Sequence, residues 1–178
     1  MRILGVPGSL RGGSTNHALL AAIPSVDPDV TLELELGVGD LPHFSPDLDQ
    51  PGVPLPPAVD AMRARVAAAD AVIISSPEYI HGIPGSLKNA LDWLVSGDEI
   101  ASKVVALWSA SPSGAPHAHA QLLEVLGVMT ARLERDASMA LILPRAAFDG
   151  AGVLIDAGVR ARLASSLAVL QSQLPDVT

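Results

Sequence analysis

Along the chain, continuous apolar runs alternate with segments whose apolar positions recur every three or four residues. Met1–Pro7 (MRILGVP), Ala71–Ser76 (AVIISS), Lys103–Ser109 (KVVALWS) and Ser138–Pro144 (SMALILP) are short apolar runs. Their length predicts strands buried on both faces. Val30–Leu36 (VTLELEL) alternates with period two, the signature of an edge strand with one wetter face. Between these runs the spacing predicts helices. The first spans Ser14–Ile23, with Ser14, Thr15 and Asn16 as candidate caps. The second spans Pro57–Ala69, with Val59, Met62, Val66 and Ala69 on one face. The third begins near Pro84 and carries Leu87, Ala90, Leu91, Leu94 and Val95. Leu122, Leu126, Met129 and Leu133 mark a fourth, and Val159, Leu163, Leu167, Leu170 and Leu174 a fifth. Gly37–Pro57 is too rich in proline to be regular structure.

Strand and helix thus alternate five times, which predicts a parallel sheet covered by helices on both faces, in one domain over residues 1–178. In such sheets ligands sit beyond the carboxyl ends of the strands. That rule selects three loops rich in Gly, Pro and Ser: Pro7–Asn16, Ser76–Gly85 and Ser109–His119.

Composition narrows the chemistry. Aromatic residues make up only 3% of the chain, so the core must rest on Ala, Val, Leu and Ile. A net charge of −8 gives no general attraction for nucleic acid or anionic lipid. The absence of cysteine excludes disulfides, thiolate metal sites, iron–sulfur clusters and cysteine nucleophiles. The opening apolar run is broken by Pro7 and Gly8, too early for a signal peptide or a membrane span, so a soluble cytoplasmic protein is expected.

The first loop, GVPGSLRGGSTN, runs straight into a helical pattern. It is not a P-loop, because Ser14 stands where the lysine belongs, and it lacks the G-x-G-x-x-G dinucleotide spacing. What remains is a turn at a helix N-terminus lined by Ser9, Arg11, Ser14, Thr15 and Asn16. Free backbone N–H groups, the helix dipole and hydroxyls suit a phosphate monoester, and Arg11 can add a charge-assisted bond. A plain capped helix start is the alternative.

After the third strand the chain reads SPEYIHGIPGSLKNALDWL, Ser76–Leu94. Taken with GSLRGGSTN, DLPHFSPDLD (Asp40–Asp49) and SASPSG (Ser109–Gly114), this resembles the NADPH-dependent FMN reductase family, a flavodoxin-like group that includes quinone, chromate and azo-dye reductases. The resemblance runs from residue 3 to about residue 125. It implies a flavodoxin-like three-layer sandwich with strand order 2-1-3-4-5. It also implies FMN at the strand tips, its phosphate held by Ser9, Arg11, Ser14 and Asn16. Pro77, Glu78, Tyr79 and Ile80 then follow the ribityl and ring edge, and Ser111 closes the other side. Phe44, His81 and His117 become candidate substrate contacts. Four departures stand out: Ile80 replaces the usual Asn, Gly82 a common Ser, and Val95 and Ser96 follow the D-W motif where Arg is usual. Pro116, His117 and His119 replace a Gly-Gly-x-Arg run in the loop after strand four.

On this reading NADPH or NADH reduces the bound flavin, and a quinone-like or other small acceptor then takes its place in a ping-pong cycle. The flavin carries the chemistry, so no catalytic residue is named. A homodimer or homotetramer is implied, with no nucleic acid and no membrane among its partners. Two rivals remain: a flavodoxin-like electron carrier, and a flavin-free binding paralogue. Glu78 reads as a residue that shapes its loop, Lys88 and Asn89 as residues that fix loops, Asp92 and Trp93 as packing or interface, and Trp108 as core. His117 and His119 form an H-x-H pair, with His81 expected on the same rim, and imidazoles suit Zn or Ni, but the sequence clearly places no carboxylate or third ligand, so no metal is expected. A serine hydrolase lacks its G-x-S-x-G elbow.

Overall fold

The computed structural model describes residues 1–111, 113–143, 147–149 and 151–175. Its strands are β1 (Arg2–Pro7), β2 (Thr31–Leu34), β3 (Ala71–Ser75), β4 (Val104–Ala110), β5 (Arg132–Leu133) and β6 (Met139–Leu141). The helices are α1 (Thr15–Ala21), α2 (Ile23–Val26), α3 (Pro57–Ala68), α4 (Gly85–Asp92), α5 (Pro116–Val128) and α6 (Ala157–Ser172). The strands lie in the order β2-β1-β3-β4-β5, all parallel, with β6 also paired to β4. This is the flavodoxin-like arrangement that the resemblance implies.

Successive residues of the central strands face opposite layers, as the pleat requires. Leu4, Val72, Ile74, Val105 and Leu107 pack with residues of α3, α4 and α5. Ile3, Ile73, Ala106 and Trp108 pack on the other face with residues of α1, α2 and α6. Trp108 is core, as expected, and its indole Nε1 donates to Ala137 O at 3.1 Å and Ser166 Oγ at 3.0 Å.

Several elements differ from the periodicity. The predicted strand Ser138–Pro144 extends only over β6, and Pro144 lies outside the described residues. The fifth position of the sheet is shared: β5 pairs with Val104 and Val105, and β6 with Trp108, Ser109 and Ala110. In the gap, Ser138 Oγ accepts from Leu107 N at 3.0 Å, so a side chain supplies the missing ladder bond. Met129 and Leu133 leave the fourth helical face, because α5 ends at Val128 and Leu133 belongs to β5. Val95 lies beyond α4 and is exposed. Leu174 lies past the end of α6. Helix one breaks at Ala22, and Pro24 sits at the start of α2.

The Pro-rich stretch contains two single 3₁₀ turns and is fastened to the helices by side chains. Asn89 Oδ1 accepts from Phe44 N at 2.8 Å, and its Nδ2 donates to Pro42 O at 3.0 Å. Trp93 Nε1 donates to Pro42 O at 2.8 Å. The buried guanidinium of Arg63 donates through Nε to Trp93 O at 2.8 Å and through Nη2 to Ser96 Oγ at 2.7 Å, and it pairs with Asp49 at 3.2 Å. Asn89 therefore fixes a loop as expected. Lys88 instead pairs with Asp92 one turn along its own helix, at 2.5 Å.

Candidate functional site

The tips of β1, β3 and β4 carry the three loops selected above. The first leaves β1 at Gly8, whose N–H donates to Ser75 O at 2.8 Å. A Cβ on Gly8 would sit 2.8 Å from Ser76 Oγ and 3.1 Å from Leu87 Cδ2, so a larger residue there would have to displace Ser76 or Leu87. Gly13, at φ +70°, makes the left-handed turn into α1.

Ser14 is the N-cap of α1, but its side chain makes no capping bond. The first helical bond runs from Ala18 N to Ser14 O, at 2.9 Å. The N–H groups of Thr15, Asn16 and His17, and the hydroxyls of Ser14 and Thr15, have no protein partner among the described residues. Unpaired donors at a helix start are what an anion requires. Arg11 is exposed over this loop, with Nη2 donating to Gly13 O at 3.2 Å. A cavity of about 280 Å³ beside it is lined by Ser9, Arg11, Gly12, Gly13, His17 and Glu35.

Asn16 departs from its expected role. Its Oδ1 accepts from Ser75 Oγ at 3.0 Å and from Ala110 N at 2.9 Å, and its Nδ2 donates to Ala110 O at 3.1 Å. The buried carboxamide ties the start of α1 to the tips of β3 and β4, so its side chain positions the loop and does not face a phosphate. Only its N–H is left for that.

The second loop forms a tight turn. Tyr79 N donates to Gly82 O at 2.9 Å, and Gly82 N donates to Tyr79 O at 3.1 Å. Its two central residues are left-handed, Ile80 at φ 51° and His81 at φ 58°. Such turns favour Asn-Gly, so an Asn at position 80 suits this backbone, and the β-branched, fully exposed Ile80 strains it. The Tyr79 hydroxyl meets Ser9 Oγ at 3.2 Å, joining the second loop to the first.

Glu78 shapes its loop as expected, and does so by holding the start of α5. Helix α5 starts from Ala115, a buried left-handed N-cap with no polar side chain of its own. Glu78 Oε2 accepts from His117 N at 2.8 Å and Ala118 N at 3.1 Å, doing the cap's work from another segment. Desolvation pushes this carboxyl up, but the two N–H bonds and the nearby His117 and His81 outweigh it and hold it below its usual range. Gln121 Oε1 adds a second tie, accepting from Ile83 N at 2.9 Å. Nothing local in the sequence signals Gln121 or Ser75 as part of this scaffold.

His117 and His119 lie in the first turns of α5, not in a loop, and they do not act as a pair. The His117 ring lies against that of His81, with centroids 4.3 Å apart. His119 is half-buried, and its imidazole is held below its usual pKa by burial and by Arg135. Phe44 is turned edge-on to Trp93, 5.1 Å between centroids, and packs against the apolar layer rather than joining the loops' rim. Ser111 is half-buried beside β6, its N donating to Leu141 O at 3.1 Å and its hydroxyl near Ser113 Oγ. Pro112, next to it, lies outside the described residues.

Residues 1–141 match the family described as NADPH-dependent FMN reductase. The chain belongs to the NADPH-dependent FMN reductase family. As a member it is an oxidoreductase, with FMN and NAD(P)H as its cofactors. A relative from Pseudomonas aeruginosa, an NAD(P)H-dependent FMN reductase, is 33% identical across 96% of this chain and 94% of its own. An NAD(P)H:quinone oxidoreductase from Solanum tuberosum is 31% identical over 97% of this chain and 92% of its own. The solved structure of FerB, a flavoenzyme NAD(P)H:(acceptor) oxidoreductase from Paracoccus denitrificans, superposes with a TM-score of 0.85 at 25% identity, covering 98% of this chain and 99% of that one. No helix among the described residues is long and apolar enough to cross a membrane.

Proposed function

We propose that this FMN reductase uses NAD(P)H to reduce quinone-like small acceptors, donor and acceptor visiting one site in turn. The observation that carries the reading is the start of α1. Three N–H groups and two hydroxyls there, beside Arg11, have no partner among the described residues, in a fold whose ligands gather at the strand tips. Ser14, Thr15, Arg11 and the N–H groups of Thr15 to His17 hold the FMN phosphate. Ser9 and Tyr79 fix the two loops to each other, and the Tyr79–Gly82 backbone lines the ring edge. Glu78 keeps that backbone rigid. The chemistry supplied by bound FMN is two-electron transfer from a nicotinamide donor to an acceptor.

The chain's own contribution is placement and exclusion of water, so no protein acid or base is assigned. Two facing apolar layers on one sheet support a single FMN-binding domain over 1–178. The exposed apolar side chain of Val95 supports a homodimer or homotetramer in which further groups complete the acceptor site. A flavodoxin-like carrier is less well supported, because Tyr79 is the chain's one tyrosine and both tryptophans are buried.

The test is the visible spectrum of the purified chain after incubation with FMN and gel filtration, followed by NADPH oxidation with and without a benzoquinone. Retained flavin that is bleached by NADPH and recoloured by quinone is the expected result. Colourless protein after excess FMN would sink the flavin reading. Retained flavin that NADPH leaves coloured would sink the reductase reading.

A further inference from the structure

We propose that Glu78, His81 and His117 form a binding site for a single divalent transition-metal ion of the Zn²⁺ class. One ligand atom from each of the three lies within 4.8 Å of the others. Two imidazoles and one carboxylate are a donor set that suits borderline ions such as Zn²⁺ and not Mg²⁺ or Ca²⁺.

The three residues come from two segments that the fold itself brings together. His81 is the second central residue of the Tyr79–Gly82 turn, and His117 is in the first turn of α5. Their rings already touch, with centroids 4.3 Å apart. Tetrahedral Zn²⁺ with ligand bonds of about 2.0–2.1 Å needs its donors about 3.3 Å apart. Both histidines are exposed, which leaves their side chains room to rotate toward that spacing. Glu78 is oriented in advance, as a metal-bound carboxylate is: Oε2 is held by the N–H groups of His117 and Ala118, and Oε1 has no protein partner among the described residues. The open side of the cluster leaves coordination positions for water or a small ligand. Bound metal would clamp the turn to α5 alongside the existing Glu78 and Gln121 ties. The site lies apart from the phosphate loop but shares Glu78 and the Tyr79–Gly82 turn with the ring edge of the flavin reading, so metal binding is measured with and without FMN.

The experiment is a Zn²⁺ titration of the full-length protein against a chromogenic chelator, run on both FMN-loaded and flavin-free samples so that loss of flavin and loss of metal are read separately. The expected result is one Zn²⁺ per chain in competition with the chelator. His81→Ala and His117→Ala should each weaken it at least about tenfold. His119→Ala, the other member of the H-x-H pair, should leave it unchanged, and circular dichroism should confirm that each variant is folded. A chain that never competes with the chelator would overturn the proposal. So would binding that survives His81→Ala, or that His119→Ala weakens as much as His117→Ala does.

Discussion

The loop after β1 and the loop after β3 meet at Gly8 against Ser76 and at the Ser9–Tyr79 hydroxyl contact, yet they treat their polar groups differently. In the first, the N-cap serine makes no cap, and three helix N–H groups have no partner among the described residues. In the second, the turn closes on itself with two backbone bonds, and Glu78 and Gln121 pin it to α5. The lesson is that the loop whose helix start is left uncapped can receive a ligand, whereas the loop tied to α5 by Glu78 and Gln121 is a wall held in shape. Asn16 shows how sharp the division is. It sits between two residues with unpaired groups, but its carboxamide is wholly engaged in holding strands.

Substitutions on either side of that division should separate stability from ligand affinity. The largest effect is expected from Asn16→Ala, which leaves Ser75 Oγ and both polar atoms of Ala110 without their partner; unfolding in urea should show a loss of roughly 3 kcal/mol. If stability instead stayed near that of the parent and only flavin was lost, Asn16 would belong to the receiving side. Next comes Ser14→Ala, with the reverse pattern. FMN should bind about tenfold more weakly, ~1.4 kcal/mol, while stability moves by less than about 0.5 kcal/mol. Equilibrium titration of FMN followed by fluorescence reads the first quantity.

Glu78→Gln should lower the thermal midpoint by a smaller step, and its sign with pH is fixed. The folded carboxyl titrates below its usual value. Its contribution is therefore complete above the ordinary carboxylate range and fades as pH falls through the folded value. The gap between parent and variant should close on acidification; a gap that widened would show that Glu78 does not cap α5. The smallest change expected is a gain. Ile80→Asn relieves a left-handed β-branched residue and should stabilise the protein by less than about 1 kcal/mol. A loss there would mean that Ile80 is buried against another copy of the chain.

Most of the fold was legible because central strands of a parallel sheet are continuous apolar runs, and four of the five helices carry a long apolar face. The glycine- and hydroxyl-rich loop before α1 was legible for the same local reason. What escaped was nonlocal. Helix α5 begins at Pro116, and Pro at the first helical position is a usual start signal, but its cap comes from Glu78 in a different segment. His81 is on the rim with His117 as expected, but the spacing alone could not show that His81, and not the adjacent His119, is the ring that meets His117. β5 is two residues long and contains Arg132, too short and too polar to show a strand pattern. Leu133 continued the helical spacing by coincidence of period.

The buried Arg63 junction governs how much the length of the chain matters between β2 and α3. Arg63 grips Asp49, Ser96 and the carbonyl of Trp93 at one end of the Pro-rich stretch, and Asn89 and Trp93 hold it at Pro42 and Phe44. Between Asp49 and the start of α3 the exposed tip at Gln50–Pro54 hangs outside both fastenings. For such a tether, doubling the number of residues adds only about 0.6 kcal/mol of closure entropy. Insertions at that tip are therefore nearly neutral, whereas Arg63→Lys replaces a planar fork with a point charge that cannot reach all three acceptors. The stretch can vary in length freely, provided that this one guanidinium stays.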